Sequence, residues 1–219
     1  MYVPPLYRAT HDEWPRAIVR DYPLATLVTN GPRTPLATHL PVVRPPDAPQ
    51  DGDLVGATLW GHLNRANGHW RALADRPAAV LIFTGPNSYI TPTTYRTSPA
   101  APTWDFVSVH LHGRVEPLDS REESLDVVKR TAEVFEAAFG DGWVAESSHE
   151  YFGRIVGGVG AFRFHVESVD SMFKLSQEKP PEVQARIMAS LGEAGRGTAL
   201  ELCRIMRLHG LGRDEVEGT

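Results

Sequence analysis

Hydrophobic positions along this chain change their period repeatedly, and the changes predict where each element begins. Thr10 followed by Glu13 reads as a capping box, opening a helix with Trp14, Ala17 and Ile18 at helical spacing before Pro23 stops it. Residues 24–29 form an apolar run suited to a buried strand, Asn30-Gly31 signals a turn, and 36–43 read as the returning strand. Three prolines and two aspartates make 45–52 a loop. Two further strands are predicted over 54–60 and 78–83, with a short helix over 70–75 between them and a turn at Gly85-Pro86-Asn87. Residues 106–116 alternate cleanly, with Val107, Val109, Leu111 and Val115 on one side and Ser108, His110, His112, Arg114 and Glu116 on the other.

Asp119 or Ser120 then caps an amphipathic helix over 122–139, ended by Gly140 and Gly142. A short helix over 148–156, a Gly157-Gly158 break and a last strand over 159–169 follow. Pro180-Pro181 opens a helical tail carrying Leu191, Leu202 and Met206. Strands crowd the first half and helices the second, and the strands are short and evenly spaced. The pattern predicts a mainly β, α+β fold: a small antiparallel barrel with peripheral helices over 1–179 and a helical extension over 180–219.

Composition narrows the function classes. The chain has 219 residues and a formal net charge of −5, so it lacks the basic footprint of a nucleic-acid partner. Cys203 is the single cysteine, which excludes an internal disulfide and suits a reducing cytoplasm. No apolar run approaches the roughly 20 residues of a membrane span, and the first ten residues have no signal-peptide pattern. The expectation is a cytoplasmic protein with no membrane partner.

One stretch carries more chemistry than a connector needs: Leu59-Trp60-Gly61-His62-Leu63-Asn64-Arg65-Ala66-Asn67-Gly68-His69-Trp70. A bland turn uses Gly, Pro, Asp and Ser. His62 either ligates a haem iron or hydrogen-bonds backbone in a half-buried turn. Arg65 and Asn67 either anchor a phosphate or carboxylate or cap the local turn. The irregular, aromatic stretch 88–104 is a second candidate, because Tyr89, Tyr95 and Trp104 can stack on a flat cofactor or simply close the end of the barrel. Lys174 either contacts an anionic cofactor group or is an ordinary surface lysine. His110 and His112 make an H-x-H pair, but zinc needs a third ligand, for which His39 is the strand-borne candidate; otherwise they line a polar pocket or a subunit interface. Phosphate loops, nucleophile elbows and kinase signatures are absent. The residues alone thus lead to a β-barrel with a flat-cofactor pocket near 60–70 and 89–104, with no named reaction.

Several motifs go further as a resemblance. Thr38-His39-Leu40-Pro41, Gly61-His62-Leu63-Asn64-Arg65-Ala66-Asn67, Gly85-Pro86-Asn87, Tyr89-Ile90-Thr91-Pro92, Pro102-Thr103-Trp104 and Lys174-Leu175-Ser176-Gln177 occur in the order seen in the PaiB-like family, which the chain resembles to about residue 190. The resemblance implies FMN binding, a split β-barrel related to the pyridoxamine-phosphate-oxidase and flavin-reductase barrels, and a homodimer. The stretch from Tyr95 to Trp104, with Leu59-Trp60-Gly61-His62, is most similar to the piperazate synthase branch. That branch uses haem b to convert N5-hydroxy-L-ornithine to L-piperazic acid. Its implications here are His62 as axial iron ligand, with Trp60, Arg65, Asn67, Arg96 and Trp104 around the cofactor and Arg65 or Arg96 holding a carboxylate. Tyr89, Tyr95, His110 and Lys174 are then the candidates to protonate the departing oxygen. Asp105 departs from the regulator branch, which commonly has Asn there. An FMN-binding regulator and a flavin-dependent oxidoreductase are the alternative readings.

Overall fold

The computed structural model describes residues 1–195 and 198–212. Six strands, β1 (Leu24–Thr29), β2 (Leu36–Val43), β3 (Thr58–Asn64), β4 (Ala78–Ile90), β5 (Thr103–Pro117) and β6 (Val159–Lys174), close into an antiparallel barrel in the order β1-β2-β3-β6-β5-β4. The expected split-barrel architecture with peripheral helices is therefore present. Closure leaves no strand with an unpaired edge. The chain divides into two compact units. One comprises His11–Phe83 and Val109–Asp170; the other comprises Met1–Thr10, Thr84–Ser108 and the described residues from Ser171 onward.

In the first unit, β1 pairs with β2 from Leu24 opposite Pro41 to Thr29 opposite Leu36, and β3 pairs with β6 from Thr58 opposite His165 to Asn64 opposite Val159. Leu27, Leu59, Leu81, Phe83, Val109, Leu111, Phe162 and Phe164 are fully buried. Each such side chain contributes about 1.5–3 kcal/mol relative to exposure. Helix α3 (Arg121–Phe139) adds a second layer, with Val127 joining Val43, Trp60, Leu118 and Ala161 in one cluster and Val134 and Phe135 packed against it. The Ser120 hydroxyl accepts the Glu123 N–H at its start, so Ser120 is the cap rather than Asp119. At its end the Glu136 carboxylate accepts the N–H groups of Asp141, Gly142 and Trp143 at 3.1, 3.1 and 2.8 Å, which turns the chain toward α4 (His149–Ile155).

Three described strand glycines sit at close approaches, Gly160 against the Trp70 ring among them. A β-carbon on Gly61 would lie 2.4 Å from the tip of the buried Phe162 ring, and one on Gly113 would lie 2.0 Å from the backbone oxygen of His165. In the second unit, α5 (Pro181–Ala194) and α6 (Ala199–Leu208) bury Ile187, Leu191, Leu202 and Met206. No described helix is long and apolar enough to cross a membrane.

Several boundaries differ from expectation. Helix α1 (Glu13–Asp21) is preceded by Asp12 with no side-chain cap, so the Thr10–Glu13 capping box does not form. Strand β3 starts four residues later than predicted and runs on to Asn64, because pairing with β6 carries Gly61 and Asn64 into the ladder. His62 is consequently inside a strand rather than at its end. Strand β4 passes straight through Gly85-Pro86-Asn87 to Ile90, with Gly85 and Pro86 buried, so the turn signal there is overridden. Strand β6 extends to Lys174, which puts that lysine on a strand.

Candidate functional site

The first unit holds the 59–70 segment. Trp60 is a core residue, and the Arg130 guanidinium covers its ring at 5.1 Å. The Arg65 N–H bonds to Gly158, its Nε to the Val159 carbonyl at 2.7 Å and its Nη2 to the Leu118 carbonyl at 3.4 Å, while the fork lies over Trp70 at 5.2 Å. Arg65 thus splints β3 against the start of β6. The Asn67 carboxamide oxygen caps α2 (Gly68–Leu73) by accepting from the His69 N–H, and its nitrogen donates to the Thr38 hydroxyl.

The two histidines of this segment contrast sharply. His69 is buried and both ring nitrogens are used, Nε2 with the Thr29 hydroxyl and Nδ1 with the Thr38 hydroxyl, each at 2.8 Å. His62 has a buried Nδ1 with no hydrogen-bond partner among the described residues. Burial lowers its pKa, so the ring is neutral near pH 7 and carries an uncommitted nitrogen. An orphaned buried nitrogen costs about 1–3 kcal/mol unless something satisfies it. A neutral imidazole in this state is a ready ligand for an iron centre.

Two of the other strand histidines, His112 and His39, have hydrogen-bond partners. His112 Nε2 meets Asp170 at 3.1 Å and His39 meets the Thr26 hydroxyl at 2.9 Å. His110 is half-buried, 6.5 Å from His112 between ring centroids, and burial lowers its pKa. Among the described residues no three His, Cys, Asp or Glu side chains gather to hold a metal ion, so the H-x-H zinc reading has no third ligand.

The second unit gathers the remaining candidates around a residue not counted among them. Asp105 is fully buried on β5. Its Oδ2 accepts from the Ser176 hydroxyl at 2.6 Å, and its Oδ1 has no hydrogen bond, with Lys174 Nζ at 3.8 Å. Burial pushes this carboxyl up to about 6, against the opposing pull of Ser176 and Lys174. Ser176 reaches it from a left-handed backbone, φ 57°. Lys174 donates to the Trp104 carbonyl at 2.8 Å and to the Thr103 hydroxyl, so it is a tether between strands.

Tyr95 is buried with its hydroxyl unpartnered, its ring under the Lys179 ammonium at 4.7 Å, and its carbonyl held by Arg186 at 3.1 Å. Burial first, then the Asp105 and Glu178 charges, raise its pKa and keep the phenol protonated. Tyr89 and Trp104 meet edge to face at 6.1 Å and both are half exposed, with Trp104 Nε1 donating to Asn87. Arg96 is exposed, with φ 55°. Asp105, Ser176 and His69 were not among the expected site residues. The signal for Asp105 was available, since it falls in phase with Val107, Val109 and Leu111 on the buried side of β5.

A folded-state pKa near 6 against 3.8 unfolded means the native state holds this proton longer. The contribution is therefore present below about pH 4 and lost as pH rises to 6, by about 3 kcal/mol. Urea unfolding of the wild type and Asp105→Asn at pH 4 and pH 7.5 is expected to show the wild type losing that amount relative to the variant. Parallel profiles would show an ordinary carboxylate.

Comparison with known proteins agrees with this architecture. The family model described as "Putative FMN-binding domain" matches residues 1–168. The chain is 26% identical over 208 residues to the protease synthase and sporulation protein PAI 2 of Bacillus subtilis, covering 94% of this chain and 96% of that protein. Among solved structures, a conserved hypothetical protein of Mycobacterium tuberculosis superposes with a TM-score of 0.55 at 13% identity, over 82% of this chain and 94% of that one. The FAD and heme binding protein of Mycobacterium smegmatis superposes with a TM-score of 0.54 at 16% identity, over 86% and 80%.

Proposed function

This chain belongs to that FMN-binding family, and within it we propose a haem b protein, with His62 as axial ligand, that acts as a piperazate synthase. The observation that carries the haem is the half-buried, neutral His62 imidazole, whose inner nitrogen Nδ1 has no partner among the described residues. A flavin phosphate instead needs a free fork or hydroxyl cluster. Arg65, the arginine of the same segment, is already spent on two carbonyls and an aromatic face.

The proposed reaction is redox-neutral. The N5–O bond of N5-hydroxy-L-ornithine breaks, the α-nitrogen bonds to N5 to close a six-membered ring, and one α-amine proton leaves with the hydroxyl as water. Haem supplies an iron centre that polarises the N–O bond. The chain must fold the substrate so that its two nitrogens approach, and must deliver a proton to the departing oxygen. Among the candidate acids, Tyr95 offers a protonated phenol with no competing partner. Lys174 is tied to Trp104 and Thr103, and burial keeps His110 neutral. We propose a homodimer acting on this small molecule in the cytoplasm, without nucleic acid or membrane.

Family membership and the likeness to PAI 2 favour a second reading, an FMN-binding regulator, and they speak for the flavin more directly than for the enzyme. The visible spectrum of protein purified from cells fed a haem precursor separates the two. A Soret band that shifts on adding N5-hydroxy-L-ornithine is the expected result. Bound flavin absorption without a Soret band returns the chain to the regulators.

A further inference from the structure

A cavity of about 370 Å³ opens in the first unit, between α1, β2, the loop that follows β2 and the C-terminal half of α3. None of the residues assigned above to a cofactor lines it. Its floor is apolar, formed by Val19, Val42, Val43, Leu54, Val134 and Phe135, and Phe139 stands 59% exposed at its mouth. Helix α1 contributes Val19 to the lining and helix α3 contributes Val134, Phe135, Ala138 and Phe139. Pockets of this size with a few convergent polar groups are the usual form of a small-molecule site.

The polar side of the cavity carries three arginines, Arg16, Arg20 and Arg44, and two carboxylates, Glu13 and Asp51. Arg20 is neutralised by Asp21, bonded at 2.7 and 3.1 Å, and the lining carboxylates Glu13 and Asp51 are exposed. Arg44 is different. Its half-buried fork donates to the carbonyls of Pro49, Gly52 and Asp53 at 2.7, 3.0 and 3.0 Å, and no described carboxylate lies within ion-pair reach. Three carbonyl dipoles hold the fork in place, and Asp51 and Asp53 act on its charge from beyond ion-pair distance. Arg16, on the same wall, has only a 3.8 Å contact to Asp53, whose side chain is 83% exposed and free to swing away. Burial and then Arg16 lower the Arg44 pKa, against the opposing pull of Asp51 and Asp53.

We infer that this cavity binds an amphipathic carboxylate, with its aliphatic chain against Val19, Val42, Val43 and Phe135 and its head group bonded to Arg16, Arg44 contributing charge alone. Octanoate titrated calorimetrically into the full-length protein is expected to bind one per chain. Octylamine, with the same tail and the opposite charge, is expected to bind at least tenfold more weakly. Ala138→Trp, which places an indole at the rim, should weaken octanoate at least tenfold with unchanged circular dichroism. If that variant fails to fold, Arg16→Glu carries the same test, with an expected tenfold loss. No saturable octanoate binding, equal affinity for octylamine, indifference to both variants, or displacement of octanoate by FMN would each overturn the assignment.

Discussion

Purified His62→Ala is expected to emerge without a Soret band while its far-ultraviolet circular dichroism and oligomeric state match those of the wild type. The separation of the two effects follows from what the side chain does in the structure. His62 makes no hydrogen bond among the described residues through its buried Nδ1, so removing it takes away an orphaned polar atom along with some packing. The expected stability change is modest, within about 2 kcal/mol in either direction. The loss of a metal ligand, by contrast, has nothing to replace it, because no alternative cluster of metal-binding side chains is present among the described residues. His62→Gln, which keeps most of the volume but offers no imidazole, should behave like the alanine variant in the spectrum and closer to wild type in stability. Soret absorbance per chain is the quantity to measure. Retention of an unchanged haem spectrum in either variant would remove His62 from the axial position. A chain that carries flavin should keep it in both, since a flavin makes no demand on an imidazole nitrogen.

Gly113→Ala is expected to destabilise the protein by about 3 kcal/mol or more, one of the largest effects available from a single methyl group. The added carbon would stand 2.0 Å from the His165 carbonyl oxygen, which belongs to backbone already paired with Thr58. A side chain in that position could rotate away, whereas a strand cannot move without loosening its neighbours. For a chain of this size the expected drop in melting temperature is about 6–12 °C. Thermal unfolding followed by circular dichroism measures it directly. A shift under 2 °C would mean that β5 and β6 slide past each other far more easily than a closed barrel should allow.

Most of the barrel was legible as alternation and punctuation. Strands β1 and β2 have the expected bounds because their apolar runs are local, although the chain bends at 32–34 and not at Asn30-Gly31. The misjudged boundaries share one cause. Gly61, Asn64, Gly85 and Pro86 are turn formers by local propensity, yet each sits where pairing or burial with distant chain outweighs the preference of one residue. Gly61 is there to admit the Phe162 ring, a reason no local reading contains. The candidate site divides similarly. Type and spacing singled out the 59–70 segment, but only burial separates His69, with both nitrogens spent, from His62. The roles of Arg65 and Asn67 as splint and cap also needed their partners, Val159, Leu118 and Thr38, from elsewhere in the chain. Asp105 was noticed as an extra charge, and its elevated pKa comes from the depth at which β5 carries it.

The pairing of β3 with β6 also bears on how the molecule comes to be assembled. The β1–β2 hairpin joins neighbours, so its loop closes at small entropic cost. Strand β3 must wait for a partner on the far side of β4, β5 and α3, with Thr58 meeting His165 and Asn64 meeting Val159. Pairings of such long range form late and slow the search for the native state. The segment bearing Gly61 and His62 lies in this seam, so it acquires its native surroundings only when the barrel shuts. A group that binds there recognises the finished protein and not its precursors, and occupancy draws the folding equilibrium toward closure by mass action. If haem is held by His62 as proposed, cofactor supply and folding yield are coupled through one pair of strands.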